Sequence, residues 1–65
     1  MSITSLRVGT EVMWIPDGEE GVVIRVLEDH QAVCIRWESG KDCWYSAWSG
    51  SLLNIEVIGH NKEAA

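Results

Sequence analysis

Val33-Cys34-Ile35-Arg36-Trp37-Glu38-Ser39-Gly40-Lys41-Asp42-Cys43-Trp44-Tyr45-Ser46 reads as a β-hairpin, and it decides the fold. An alternating apolar run leads into Glu-Ser-Gly, and a second, aromatic-rich run follows. Gly40 suits the left-handed last position of a three-residue hairpin loop. That loop pairs Trp37 with Lys41, Ile35 with Cys43 and Val33 with Tyr45. Val33, Ile35, Trp37, Cys43 and Tyr45 then share a core face. Cys34, Arg36, Asp42 and Trp44 share the opposite face, which is free to bind. A loop one residue shorter would turn Trp44 inward and make Tyr45 the outward candidate.

Outward from the hairpin, the chain divides into short strands. Val8 to Ile15 forms a first strand, ended by the turn formers Pro16-Asp17-Gly18-Glu19-Glu20-Gly21. Val22 to Leu27 is β-branched and too short for a helix, with Val22, Ile24 and Val26 on one face and Arg25 marking a solvated one. Glu28-Asp29-His30-Gln31 is a polar turn. Beyond the hairpin, Ala47 to Leu53 contains Gly50 and fits a single 3₁₀ turn. Asn54 to Ile58 alternates as a last strand. Residues 1–8 form a lead-in from which Ile3 and Leu6 tuck against the domain, 9–58 the domain itself, and 59–65 a frayed tail. Five short strands with tight turns point to a closed or nearly closed barrel, since an open sheet leaves two edges bare.

Composition bounds the function. Sixty-five residues allow one domain with a small core, and 46% hydrophobic residues argue for a folded chain. The formal charge of −5 argues against DNA or RNA, because phosphate recognition needs clustered Lys and Arg, and the five basic residues are scattered. His30 and His60 have no Ser or Cys in a nucleophilic setting, and Glu19-Glu20 and Glu28-Asp29 read as solvated turn carboxylates. No catalytic group, metal site or cofactor is expected. Cys34 and Cys43 point to opposite faces and are expected as free thiols. The N-terminal residues carry no long apolar run, so a soluble, reducing, cytoplasmic setting without membrane contact is expected.

Gly9, Val12, Asp17-Gly18, Gly21-Val22-Val23, Val33-x-Ile35-x-Trp37-x-x-Gly40, Tyr45 and Leu52 or Leu53 form a skeleton. It resembles SH3-like small barrels of the Tudor, KOW and Mind-bomb-type group, the Mind-bomb type most closely, over residues 9–58. The resemblance implies an all-β, five-stranded SH3-like barrel with a short 3₁₀ turn before the last strand. It also implies a non-enzymatic module that holds a protein or peptide segment on strand faces and loops. The type II dihydrofolate reductases, tetramers of small SH3-like barrels around a central pore, offer a second resemblance. Their Val-Gln-Ile-Tyr strand corresponds here to Asp42-Cys43-Trp44-Tyr45, which keeps only the Tyr, so a small-molecule-binding or enzymatic oligomer is the alternative. A nucleic-acid-binding KOW- or Sm-like barrel is a further one, opposed by the acidic charge.

Trp44, Trp48, Arg36, Asp42 and Trp14 are the candidate binding residues. An outward Trp beside an Arg and an Asp is either an anchor for a partner or a ring stacked on the Arg36 guanidinium. Trp48 stands close enough in sequence to share the rim, though Asp42 with Trp44 and Trp48 is too little for a methyl-lysine cage. Met13, Ile15, Val23, Leu27, Cys34 and Trp44 are read as an outward apolar set. Such a surplus predicts a homo-oligomer.

Overall fold

The computed structural model describes residues 6–27, 29 and 31–60. Five strands follow in order: β1 (Thr10–Trp14), β2 (Glu19–Val26), β3 (Ala32–Trp37), β4 (Asp42–Ser46) and β5 (Ile55–His60), with a 3₁₀ turn at Gly50–Asn54 before β5. They form one antiparallel sheet in the spatial order β4-β3-β2-β1-β5. The chain is therefore all-β. Its sheet is not closed, and β4 and β5 are the two edges.

The hairpin has the register its loop dictates. Val33 pairs with Tyr45, Ile35 with Cys43 and Arg36 with Asp42, and the Trp37 N–H donates to the Lys41 carbonyl. Gly40 adopts φ +91° and donates its N–H back to the Trp37 carbonyl at 2.8 Å. Val33, Ile35 and Trp37 are buried in the core, with Cys43 and Tyr45 packed against it.

Trp14 on β1 stacks on Tyr45 of β4 with ring centroids 6.5 Å apart. Two strands, β2 and β3, lie between them in the sheet. At roughly 4.8 Å per strand spacing their backbones would stand about 14 Å apart on a flat sheet, with side chains directed away from it. The contact therefore requires a strongly curled sheet. Its concave side holds Val12, Val23, Val33, Ile35, Trp37 and Ile55, closed off by Leu52 from the 3₁₀ turn and Leu6 from the lead-in. Leu6 is held there by a reciprocal turn in which Arg7 N–H donates to Thr10 Oγ1 and Thr10 N–H donates to the Arg7 carbonyl. Ile3 lies outside the described residues.

β2 departs from its expected reading in two ways. It begins at Glu19, so Glu19, Glu20 and Gly21 are strand residues rather than turn. Its inward row is Val23 and Val26, with Val23 only 1% exposed, not Val22, Ile24 and Val26. The reason is a β-bulge: Val23 pairs with Ile35 and Arg25 with Cys34, so Ile24 and Arg25 together face one residue and the alternation changes phase. Val23 thus leaves the outward apolar set. Cys34 stays on the outward face but is only 3% exposed, flanked across the ladder by Trp44 and Arg25. β5 also runs past the expected boundary, through Gly59 to His60, with a register shift opposite Glu11 and Val12. Residues 61–65, Glu28 and His30 lie outside the described residues.

Gly21 pairs with Trp37, and the indole lies directly over it. A Cβ there would stand 2.7 Å from Trp37 Cε3 and 2.9 Å from the Arg36 carbonyl oxygen, a backbone atom that cannot swing aside. We expect Gly21→Ala to destabilise the fold by about 1–3 kcal/mol through overpacking. Gly50→Ala, whose Cβ meets nothing within 4 Å, should stay within about 0.5 kcal/mol of the parent. Urea denaturation of the two variants checks both values, and equal effects would contradict the packing described.

Candidate functional site

The outward face of the β3–β4 hairpin carries the candidate residues in two cross-strand pairs. Arg36 lies opposite Asp42, and Cys34 lies opposite Trp44. The guanidinium grips the carboxylate through two bonds, Nε to Oδ1 at 2.8 Å and the second nitrogen to Oδ2 at 3.1 Å. The hydrogen bond from Arg36 holds the Asp42 carboxyl below the usual aspartate range, and the same bond raises Arg36 further. Both side chains are about half exposed to water, so the pair adds little stability and serves to fix two side chains in one orientation.

Trp44 is 52% exposed and forms one wall of a shallow depression of about 420 Å³ with Val8, Ile24, Arg25, Val26 and Leu27. Several of these residues do not stand out in the sequence. The β2 bulge places Ile24 beside Arg25 opposite Cys34, and a bulge leaves no signature in hydrophobic alternation. Burial pushes the Cys34 thiol above its ordinary pKa, and the Asp42 carboxylate adds to the effect, so the thiol at this site stays protonated. Cys43, on the other face, is also free.

On the other side of the Arg36–Asp42 pair lies a second groove of about 480 Å³. Glu11, Glu20 and Glu38 line it, together with Gly21, Val22, Arg36 and the edge of Trp37. Sequence reading assigns Glu20 to a solvated loop; the earlier start of β2 brings it onto the sheet. Glu19 ties that strand to the hairpin loop by accepting the Ser39 N–H at 3.1 Å. The outward face therefore has an apolar half around Trp44 and a carboxylate-lined half, separated by one ion pair. Among the described residues no group of three or more His, Cys, Asp or Glu side chains is placed to hold a metal.

The other two candidates lie elsewhere. Trp14 is half-buried on the concave side, 6.3 Å from Trp37 and 6.5 Å from Tyr45 by ring centroids. Trp48 follows β4 and is 81% exposed, with Leu53 of the 3₁₀ turn also exposed. Among the described residues the ring–ring contacts join only Trp14, Trp37 and Tyr45, so neither Trp14 nor Trp48 packs on Trp44.

Two outcomes follow from the paired groups. The Trp37 Nε1–H donates to the Tyr45 hydroxyl at 3.0 Å. Tyr45→Phe leaves that indole donor without its partner, and we expect a loss of about 1–2 kcal/mol in urea unfolding. An unchanged midpoint would show that solvent replaces the bond. For Asp42, a folded-state pKa below the unfolded one means that the pair's contribution is present above the usual aspartate range. It is lost as pH falls through the depressed value. An NMR titration should place the Asp42 midpoint below the usual aspartate range, and Arg36→Gln should return it toward that range.

No protein-family model matches the chain, and no curated protein and no solved structure matches it either.

Proposed function

We propose that the chain is an SH3-like small barrel that acts as a non-enzymatic binding module. It holds a protein or peptide segment on the outward face of the β3–β4 hairpin, and it self-associates. The observation that carries this reading is the exposure of Trp44, 52%, on a face whose other large side chains are already fixed by pairing. An indole so placed has a large apolar area still in water and little conformational entropy left to lose, the properties of an interface anchor.

The strand order, the 3₁₀ turn before β5 and the strong curl of the sheet support the barrel assignment. The surroundings of Trp44 favour a protein or peptide over nucleic acid. Glu11, Glu20 and Glu38 line the neighbouring groove and repel phosphate, while Arg36, the cation beside them, is engaged by Asp42. Among the described residues no helix is long and apolar enough to cross a membrane.

Trp44→Ala is the test. Because the indole is outside the core, the variant should keep the parent's circular dichroism and unfold within about 1 kcal/mol of it. Its self-association and recovery of cross-linked protein partners should fall by about tenfold or more, as for a hot-spot residue. A folded Trp44→Ala protein that keeps both would overturn the assignment.

A further inference from the structure

The β4 edge holds the backbone groups that the sheet leaves unused. Trp37 N–H donates to the Lys41 carbonyl and Ala47 N–H to the Gln31 carbonyl. With the register between them, the bonded pairs along the hairpin are Trp37/Lys41, Ile35/Cys43, Val33/Tyr45 and Gln31/Ala47. Bonded and non-bonded pairs alternate in an antiparallel ladder, so the N–H and C=O groups of Asp42, Trp44 and Ser46 turn away from β3. All three residues are exposed, and among the described residues β4 is the last strand on its side of the sheet. Between Asp42 and Ser46, β4 has no Pro, no Lys and no bulge to blunt the edge, and its one charge, Asp42, is paired with Arg36. The opposite edge differs. β5 carries the register shift and Gly59, and its first N–H, at Ile55, is already donated to the Leu52 carbonyl.

Building on the reading of Trp44 as an interaction anchor, we infer that β4 pairs antiparallel with β4 of a second copy. The twofold axis passes at Trp44, and the outward face of the dimer carries the indoles of both copies. The edge is complementary to itself in this register. Trp44 exchanges both of its bonds with the partner's Trp44, and Asp42 exchanges both of its own with the partner's Ser46. Every free N–H on the two edges then meets a carbonyl. The Ser46 carbonyl, which already receives the Ser49 N–H at 3.0 Å, uses its second lone pair. Parallel pairing would set Asp42 beside its own copy, and like charges placed so are destabilising.

Charge also selects this edge for self-contact. Each copy carries a formal −5, which opposes any approach through the groove of Glu11, Glu20 and Glu38. The one carboxylate at the β4 edge, Asp42, is held by Arg36. The twofold arrangement is closed and stops at a dimer. It makes the binding site a two-Trp platform to which each copy contributes half.

The test compares the unaltered chain, Ser46→Pro and Trp44→Ala by sedimentation equilibrium, at concentrations up to about 100 μM to suit an interface below standard size. Ser46 lies in a non-bonded pair with Ala32, so proline there spares the β3–β4 ladder and removes only an outward donor. We expect the unaltered chain to be dimeric and Ser46→Pro to be monomeric with the parent's circular dichroism. Amide exchange on the unaltered chain supplies a readout that does not depend on the variant folding. Protection of Asp42, Trp44 and Ser46 should rise with protein concentration, while Cys43 and Tyr45 stay protected throughout. A monomeric parent, a dimeric Ser46→Pro protein, assemblies larger than a dimer, or concentration-independent exchange at those three amides would overturn the inference. If Trp44→Ala dissociates while Ser46→Pro does not, the outward face remains the binding surface and the edge pairing is wrong.

Discussion

The structure depends on an aromatic contact made across the inside of the curled sheet. Trp37 meets Trp14 and Tyr45 edge-on, Trp14 stacks on Tyr45, and the Trp37 indole N–H donates to the Tyr45 hydroxyl. These residues come from β1, β3 and β4, so the cluster ties one outer strand to the far side of the sheet. A chain this short has few large residues with which to fill a concave interior. Three rings supply much of the apolar area, and the hydrogen bond between two of them leaves neither polar tip unpartnered. Gly21 makes the arrangement possible, because the indole of Trp37 crosses β2 in the space that any side chain would occupy.

That inward cluster determines what the outward face can be. The three-residue loop ending at Gly40 sets Trp37 and Tyr45 inward, and the pleat then sends Arg36, Asp42 and Trp44 outward. Shifting β4 by one residue against β3 would turn Asp42 and Trp44 inward and Tyr45 outward, so core and candidate site are set by one choice. Burial also raises the Tyr45 hydroxyl above its ordinary pKa, against the pull of the Trp37 N–H, and this keeps it a neutral hydrogen-bond partner.

The hairpin could be read from sequence because its signals are local. A glycine three residues after Trp37 and alternation on both sides fix a register without tertiary information. β2 could not be read that way. Its inward row passes through Gly21, which contributes no hydrophobic signal, and the bulge at Ile24 reverses the alternation at the point where the sequence looks most regular. The place of Ile24 in the wall beside Trp44 was hidden for the same reason, whereas Leu27 reads as outward from the sequence. β5 repeats the lesson on a smaller scale, since the register shift opposite Glu11 and Val12 carries the strand on through Gly59 to His60. Trp14 illustrates a different limit. An indole at the end of a strand can face either way, and its contact with Tyr45 depends on a curl that pairing rules do not contain.

Cys34 and Trp44 show how a small sheet manages a face that is neither core nor plain solvent surface. The two sit opposite each other in a non-bonded pair, where side chains approach most closely, and the thiol is buried although its strand face is outward. A larger residue at Cys34 would lift Trp44 away from the sheet, and a charged one would be desolvated between Trp44 and Arg25. The outward apolar half thus needs a small, weakly polar residue at its centre, and the raised thiol pKa is the electrostatic sign of that burial. The carboxylates of Glu11, Glu20 and Glu38 keep the rest of the face hydrated and mutually repulsive between copies. On the hairpin's outward face, Trp44 with Val8, Ile24 and Leu27 lies on one side of the Arg36–Asp42 pair and the glutamates on the other, which gives a contact surface a defined boundary.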